Sequence, residues 1–492
     1  MPNSKPNGVA VLEDPIQNSG TAFTAEERTS LGLEGLLPAS IETLDTQVER
    51  VLGHLAAKPD ALEQYIYLQD LCDRNETLFY AVLMSDPARF VPIVYDPTIA
   101  DACLTYGHVY RRPQGMYLTK QMKGRMADVL ANWPNKDISF ICVSSGGRIL
   151  GLGDIGANGA PIPIGKLQLY TACAAVPPDG LLPIHFDIGT TSAKLRADPL
   201  YTGLRDEPGT EDEIDELVDE FMEAANAVFP GVCVHFEDWK GTDAIRLLAR
   251  YKDDYLVLND DIQGTASVTI AGLTTALQIK GEKLVNQRIL FAGAGSAGIG
   301  IANMIVEAMQ TEGLSAEDAR ARIAMYDVDG LLDAKRDDLS ASQKVYAKDL
   351  PATKSLEDSV KAFKPTTLIG VSTTHGLFTE GVVKAIAANT DRPIIFPLSN
   401  PTDKAECTPE QAYAWTDGRA LFAAGVQFPD VTVNGKTYHP GQANNFYIFP
   451  AFGLAIYATK PKRIDDKMWI AAAQGAADQV DQAARDKGML VP

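Results

Sequence analysis

Residues 288–302 read RILFAGAGSAGIGIA. A short run of β-forming apolar residues ends at Gly293-Ala294-Gly295, and a helix-forming apolar stretch begins after Gly298. A Gly-x-Gly-x-x-Gly turn between a strand and a helix lets the backbone bend sharply and approach a pyrophosphate. The first N–H groups of the helix then face that anion. Ser296 and Ala297 fill the variable positions of the turn and leave cofactor preference open. The acidic residue expected at the end of the next strand is Asp327 in AMYDVDG, further along than the usual spacing of about 20 residues. A long intervening helix accounts for that distance. A carboxylate there suits the ribose hydroxyls of NAD and disfavours a 2′-phosphate. NAD is the cofactor favoured on this ground. Arg336, Gln343 and Lys344 lie downstream and leave NADP open.

Outward from this turn the chain keeps a βαβ rhythm. On the N-terminal side, DISFICVSS, LLPIHFDIGT, VCVHFED and YLVLND read as strands. They alternate with helical PIPIGKLQLYTACAAV, EDEIDELVDEFMEAANAVF and TDAIRLLARYKD. On the C-terminal side, RIAMYD, TTLIGVS, PIIFPLSN and RALFAAGV are further strands, and DVTVNGKTYHP carries an Asn434-Gly435 hairpin signal. Residues 24 to about 90 read helical instead, starting with a capping box at Thr24 and Glu27. The fold class is therefore α/β: a helical N-terminal region, an α/β substrate and metal domain with a parallel sheet, and a Rossmann-type dinucleotide domain. The expected boundaries are 1–113 for the helical region, 114–259 with 445–492 for the substrate domain, and 260–444 for the Rossmann domain.

Polar residues collect at the C-terminal ends of the first set of strands. Arg148 and Asp154, Asp187, Glu237 and Asp238, and Asp260 and Asp261 all fall there, where open α/β sheets bind ligands. Two adjacent pairs of carboxylates suit a hard divalent cation such as Mg²⁺ or Mn²⁺. Alternation along an extended strand end would send the members of each pair in opposite directions. Lys166, the one charge in an apolar helix, is a candidate counter-ion and base. Solvated loops and a surface lysine remain the plain alternative.

Composition bounds the partners. The 492 residues carry a formal charge of −20, which argues against wrapping nucleic acid or docking on an anionic membrane. No apolar run of spanning length appears, and the first residues lack the pattern of a signal peptide. Six scattered cysteines without a CxxC pair read as reduced thiols of a cytoplasmic protein. With six histidines and no HExxH, a metal site would rely on oxygen ligands. His108 and His235 read as hydrogen-bonded structural histidines, and Arg111-Arg112-Pro113 as a loop anchor.

Seven blocks carry a resemblance: VPIVYDPTIADACLTYGHVYRRPQG (91–115), GRILGLGDIGANGAPIPIGKLQLYTACA (147–174), HFEDW (235–239), NDDIQGTA (259–266), GAGSAGIGIA (293–302), PLSNPT (397–402) and GQANNFYIFP (441–450). In order and wording they resemble malic enzymes, the divalent-metal- and NAD(P)-dependent decarboxylating malate dehydrogenases. The resemblance implies oxidation of L-malate to pyruvate and CO₂ by a homodimer or homotetramer. It implies Glu237, Asp238 and Asp261 as metal ligands, Lys166 as general base with Asp260 as its carboxylate partner, and Tyr95 as general acid. It further implies Arg148, Asn400 and Asn445 at the malate carboxylates. Gly293, Gly295, Ser296, Ala297, Gly298, Asp327 and Asn400 would then form the cofactor site. Family members usually continue beyond DKGMLVP through a further helical segment. A malolactic enzyme, which releases lactate and retains its NAD, is the nearest rival. A dehydrogenase without decarboxylation and an inactive binding protein on the same fold are more distant ones.

Overall fold

The structure, a computed structural model, describes residues 7–149 and 151–492. The chain forms two compact units, Met1–Glu237 and Asp238–Pro492.

The first unit opens with helices α1 (Ala25–Ser30), α2 (Leu44–Ala56), α3 (Ala61–Cys72), α4 (Glu76–Ser85), α5 (Pro87–Val94) and α6 (Thr98–Leu104). Thr24 and Glu27 form the expected capping box. The stretch 61–84, which reads as one helical run, is broken where the Asn75 side chain accepts the Leu78 N–H and starts a new helix. Strands β1 (Met116–Thr119), β2 (Phe140–Ser144), β3 (Leu181–Asp187) and β4 (Cys233–Glu237) pair in parallel in the order β1-β3-β2-β4. Helix α7 (Pro161–Ala174) is buried on nearly every side, which fits its apolar sequence. Helix α8 (Glu211–Val228) is amphipathic and begins with a capping box and three acids in its first turn, matching its reading.

The second unit begins with α9 (Gly241–Tyr251) and β5 (Val257–Asn259), then the long helix α10 (Thr265–Lys280). Strand β6 (Ile289–Ala292) follows, then α11 (Ser296–Thr311), β7 (Ile323–Asp327), β8 (Gly330–Leu331), α12 (Leu356–Phe363) and β9 (Thr367–Gly370). Helix α13 (Glu380–Ala387), β10 (Ile394–Pro397) and β11 (Leu421–Ala424) complete the alternation. The chain then runs through β12 (Val431–Val433), β13 (Lys436–Tyr438), β14 (Gly441–Gln442), α14 (Phe449–Thr459) and α15 (Asp466–Asp478). The sheet order is β14-β11-β10-β9-β6-β7-β8, parallel except for β8. The strand order reverses between β6 and β9, the switch point of a Rossmann sheet. The β12–β13 hairpin turns at Asn434 and Gly435, with φ of 52° and 79°.

Helices α14 and α15, which the sequence reading joined to the substrate domain, pack within the second unit. Trp469 of α15 is fully buried, stacks on Phe452 at 3.8 Å between ring centroids, and accepts the Ser267 hydroxyl of α10 on its carbonyl at 2.8 Å. Among the described residues no helix is long and apolar enough to cross a membrane. Trp469→Ala should cost about 3–5 kcal/mol, because it leaves a ring-sized cavity under α10. Thermal denaturation checks this, and an unchanged midpoint would contradict the packing.

Candidate functional site

In the first unit the chemistry centres on a buried ion pair. Lys166 lies on α7 with 0 % exposure, and its Nζ sits 3.0 Å from Oε1 of Glu237, the last residue of β4. A lysine deprived of water keeps its charge only beside a counter-charge. The other carboxylate oxygen, Oε2, is 3.0 Å from His235 Nε2, and His235 Nδ1 is 3.0 Å from the Tyr170 hydroxyl. An ionised carboxylate only accepts, so Nε2 donates its proton to Glu237. Burial pulls the Glu237 carboxyl up, but Lys166 and His235 outweigh it and hold it below the ordinary carboxylate value.

The Tyr95 ring lies 5.3 Å from Lys166 Nζ. Gly165 permits this approach, since a Cβ there would meet Ile99 Cδ1 at 2.7 Å and the Val94 carbonyl at 3.0 Å. Tyr95, Lys166 and Glu237 are thus brought together by three elements of one unit. Glu237 is the carboxylate seen on Lys166; Asp260, the partner expected from the resemblance, belongs to the second unit. Arg148 is exposed on the loop after β2. The other strand-end acids hold loops. Asp154 accepts from Gly156 N, Thr190 Oγ1 and Thr191 N, and Asp187 accepts from Gly189 N and Leu204 N. His235 is hydrogen-bonded as expected, whereas the His108 ring is exposed.

In the second unit the carboxylate pairs do not follow strand alternation, because the backbone has left the strand at both places. Asp238 has φ 53°, in the left-handed region that Asp tolerates better than most residues. Asp260–Gly264 forms a π turn capped by the Asn259 side chain, which accepts the Ile262 N–H. The neighbours still diverge. Asp261 Oδ2 accepts the Asp238 N–H at 2.8 Å, while Asp260 Oδ1 lies over Gly264, only 1.8 Å from where a Cβ would be. That Cβ would also stand 3.4 Å from Asn445 Cβ, so Gly264 brings Asp260 and Asn445 side by side. Glu237 and the Asp238 peptide-bonded to it are 3 % and 5 % exposed. Within the second unit, buried Asp238 and the Asp261 carboxylate held on its amide are oxygen donors of the kind that suits Mg²⁺ or Mn²⁺.

The glycine turn takes the predicted form. Gly293 has φ 116°, and a Cβ there would stand 2.5 Å from the Val371 carbonyl after β9. Gly298 lies against the Gly293 carbonyl, where a Cβ would approach to 2.4 Å. Around Gly295, ahead of Ser296 and Ala297 at the start of α11, nothing lies within 4 Å of the Cβ position, so the helix N-terminus is open to an anion. Asn400 is half-buried just beyond β10. Asp327 ends β7 as expected, but its carboxylate is forked by Arg336, with Nη1–Oδ1 2.8 Å and Nη2–Oδ2 2.9 Å.

Residues 72–252 match the family profile described as "Malic enzyme, N-terminal domain", and residues 262–492 match "Malic enzyme, NAD binding domain". The chain belongs to the malic enzyme family. It is 46% identical to the NADP-dependent malic enzyme of Mus musculus over 487 residues, 99% of this chain and 85% of that one. It is 47% identical to the NADP-dependent malic enzyme of Anas platyrhynchos, across 99% of this chain and 87% of that one. Among solved structures, Entamoeba histolytica malic enzyme shares the fold with a TM-score of 0.55 at 20% identity, covering 94% of this chain and 82% of that one.

Two features of this malic enzyme escaped sequence reasoning. The Tyr170–His235 relay joins residues 65 positions apart, and the only local signal was a histidine two residues before a strand-end acid. Arg336 was visible as a downstream cation, but nothing in the sequence showed its grip on Asp327. Gly264→Ala should lower kcat by roughly 100-fold, because its methyl displaces the Asp260 carboxylate by about an ångström or more beside Asn445. Steady-state kinetics on protein shown folded by circular dichroism checks it; wild-type kcat would contradict the placement of that carboxylate.

Proposed function

We infer that the protein oxidatively decarboxylates L-malate to pyruvate and CO₂, with NADP as the preferred oxidant and Mg²⁺ or Mn²⁺ required. The observation that carries this reading is the fully buried Lys166 held between the Glu237 carboxylate and the Tyr95 ring. These are the residue types that proton removal at C2 and proton delivery at C3 require. Lys166, in its neutral amine form, takes the proton of the 2-hydroxyl; a divalent cation on Glu237 would favour that form by drawing off the carboxylate that stabilises the ammonium. Tyr95 returns a proton to C3 of the enolate left when CO₂ departs. Arg148 pairs with a malate carboxylate through its planar fork, and Asn400 and Asn445 hold substrate oxygens without adding charge. Asp260 is the carboxylate partner of Lys166 and stabilises the ammonium that forms when the proton is taken. Glu237, Asp238 and Asp261 hold the divalent cation. When bound, the cation supplies Lewis acidity at the substrate oxygens and the nicotinamide accepts the two electrons from C2.

The preference for NAD drawn from sequence assumed a bare carboxylate at Asp327. With Arg336 forked onto it, that carboxylate is neutralised, and the relatives above are NADP-dependent by name. Hydrogen bonds to Asp338 first and Asp327 second raise the Arg336 pKa above its ordinary value, so Arg336 stays cationic between the two carboxylates. A 2′-phosphate would take over guanidinium donors that now hold them. Homodimeric or homotetrameric assembly and residence in the cytoplasm, a reducing compartment consistent with six free cysteines, are part of the same proposal.

Purified protein given malate, Mn²⁺ and NADP should form one reduced nicotinamide per pyruvate, and EDTA should abolish turnover. Lactate without reduced cofactor would point to malolactic chemistry, and full activity in EDTA would remove the metal from the account. Lys166→Ala should lower kcat by roughly 100-fold or more while malate still binds, the scale expected for loss of a general base. Near-normal turnover would rule Lys166 out as base. Arg336→Gln should raise the KM for NADP roughly tenfold or more and leave NAD kinetics nearly unchanged. Equal changes with both cofactors would contradict the assignment.

A further inference from the structure

Glu406 lies on no strand or helix and in no motif of the sequence, yet it is fully buried in the second unit. No cation is shown on it. Its carboxylate is surrounded by neutral donors from two loops that leave neighbouring strands. Oε1 accepts from Ser372 N at 2.9 Å, from Ser372 Oγ at 2.8 Å and from Ser399 Oγ at 2.5 Å. Oε2 faces Ser399 N at 3.4 Å. An ionised carboxylate can only accept, so both serine hydroxyls must donate to it. Their lone pairs are thereby turned to the backbone. Ser399 Oγ accepts the Thr373 N–H at 2.9 Å, and Ser372 Oγ accepts the Thr374 N–H at 3.1 Å. One carboxylate therefore dictates, directly or through a hydroxyl, the direction of three successive amides, 372 to 374. It holds Thr373 at φ 55°, a conformation that β-branched residues rarely take.

The place matters as much as the network. Ser372–Thr374 follows β9, and Ser399 follows β10 and immediately precedes Asn400. The glycine turn after β6 packs on the first of these loops, since a Cβ on Gly293 would meet Val371 O at 2.5 Å and Ser372 N at 3.1 Å. Gly370, the last residue of β9, leaves room for the carboxylate; a Cβ there would stand 2.5 Å from Glu406 Cδ. The cofactor crevice at the strand-order reversal is thus bordered by three loops, and Glu406 ties the second to the third while the first rests on the second.

We propose that Glu406 is a positioning residue for the reaction: through Ser372 and Ser399 it sets the backbone that shapes the cofactor crevice and presents Asn400. This rests on the function inferred above. Glutamine at 406 would turn an amide toward donors and leave at least one of them without an acceptor. Ser399→Ala and Ser372→Ala each remove one hydroxyl and keep the carboxylate.

The test titrates wild type and the three variants with NADPH by fluorescence, measures kcat for malate oxidation, and records the thermal midpoint. Glu406→Gln is expected to weaken NADPH binding and lower kcat by roughly 10- to 100-fold, the scale of an ångström-sized misplacement. The serine variants should show smaller losses of the same kind at a wild-type midpoint, and Ser399→Thr, which retains a hydroxyl, should restore wild-type constants. If the serine variants bind NADPH and turn over as wild type does, and Glu406→Gln loses only thermal stability, the role is structural and the proposal is overturned. Wild-type protein that binds NADPH without oxidising malate would defeat the functional reading alone, and the NADPH titrations would still decide the role of Glu406.

Discussion

The first unit is organised around a charge that has no access to water. Lys166 is placed on a helix buried on nearly every side, and Glu237 meets it from the end of β4. Such a pair is a poor way to gain stability. Desolvation of both ions offsets their attraction, and an apolar pair of equal volume would do as well or better. Its place at the C-terminal edge of a parallel sheet, under the Tyr95 ring and beside His235, is the ground for the catalytic role proposed for it. The geometry around it follows from this pair. Gly165 must be small so that Tyr95 can approach, and His235, held by Tyr170 on its other nitrogen, presents an N–H to Glu237.

The second unit treats its carboxylates in two different ways. Asp327 is forked by an arginine that also holds Asp338, so its carboxylate is no longer bare. Glu406 keeps its place among N–H and O–H donors, which lets it orient backbone without altering the net charge of its donors. Both lie beside the reversal in strand order, one at β7 and the other beyond β9 and β10. The same Rossmann topology therefore carries the device proposed for cofactor recognition on one flank and the proposed scaffold on the other.

Much of this was legible in the chain. The alternation of strands and helices, the turn at Gly293–Gly298, the Asn434-Gly435 hairpin and the Thr24 cap each depend on interactions a few residues apart, and local pattern reports such interactions well. Strand β1 was missed because GMYLTK is short, bounded by Gly and Lys, and too brief to show alternation. The π turn at Asp260–Gly264 and the left-handed Asp238 were missed for a different reason: both depart from the extended backbone on which alternation arguments rest. Arg336 was seen only as a downstream cation, and Glu406 was not singled out. Their partners sit across a turn or on another strand, and only the folded chain brings them together.

The central claim is that Glu237, besides pairing with Lys166, is a ligand for the divalent cation on which turnover depends. The most direct measurement is Mn²⁺ binding followed by electron paramagnetic resonance in wild type and Glu237→Gln, with NADPH binding as the control for a folded second unit. The account predicts one Mn²⁺ site per wild-type chain, and its loss in the variant while NADPH still binds. Wild-type Mn²⁺ affinity in Glu237→Gln would contradict it.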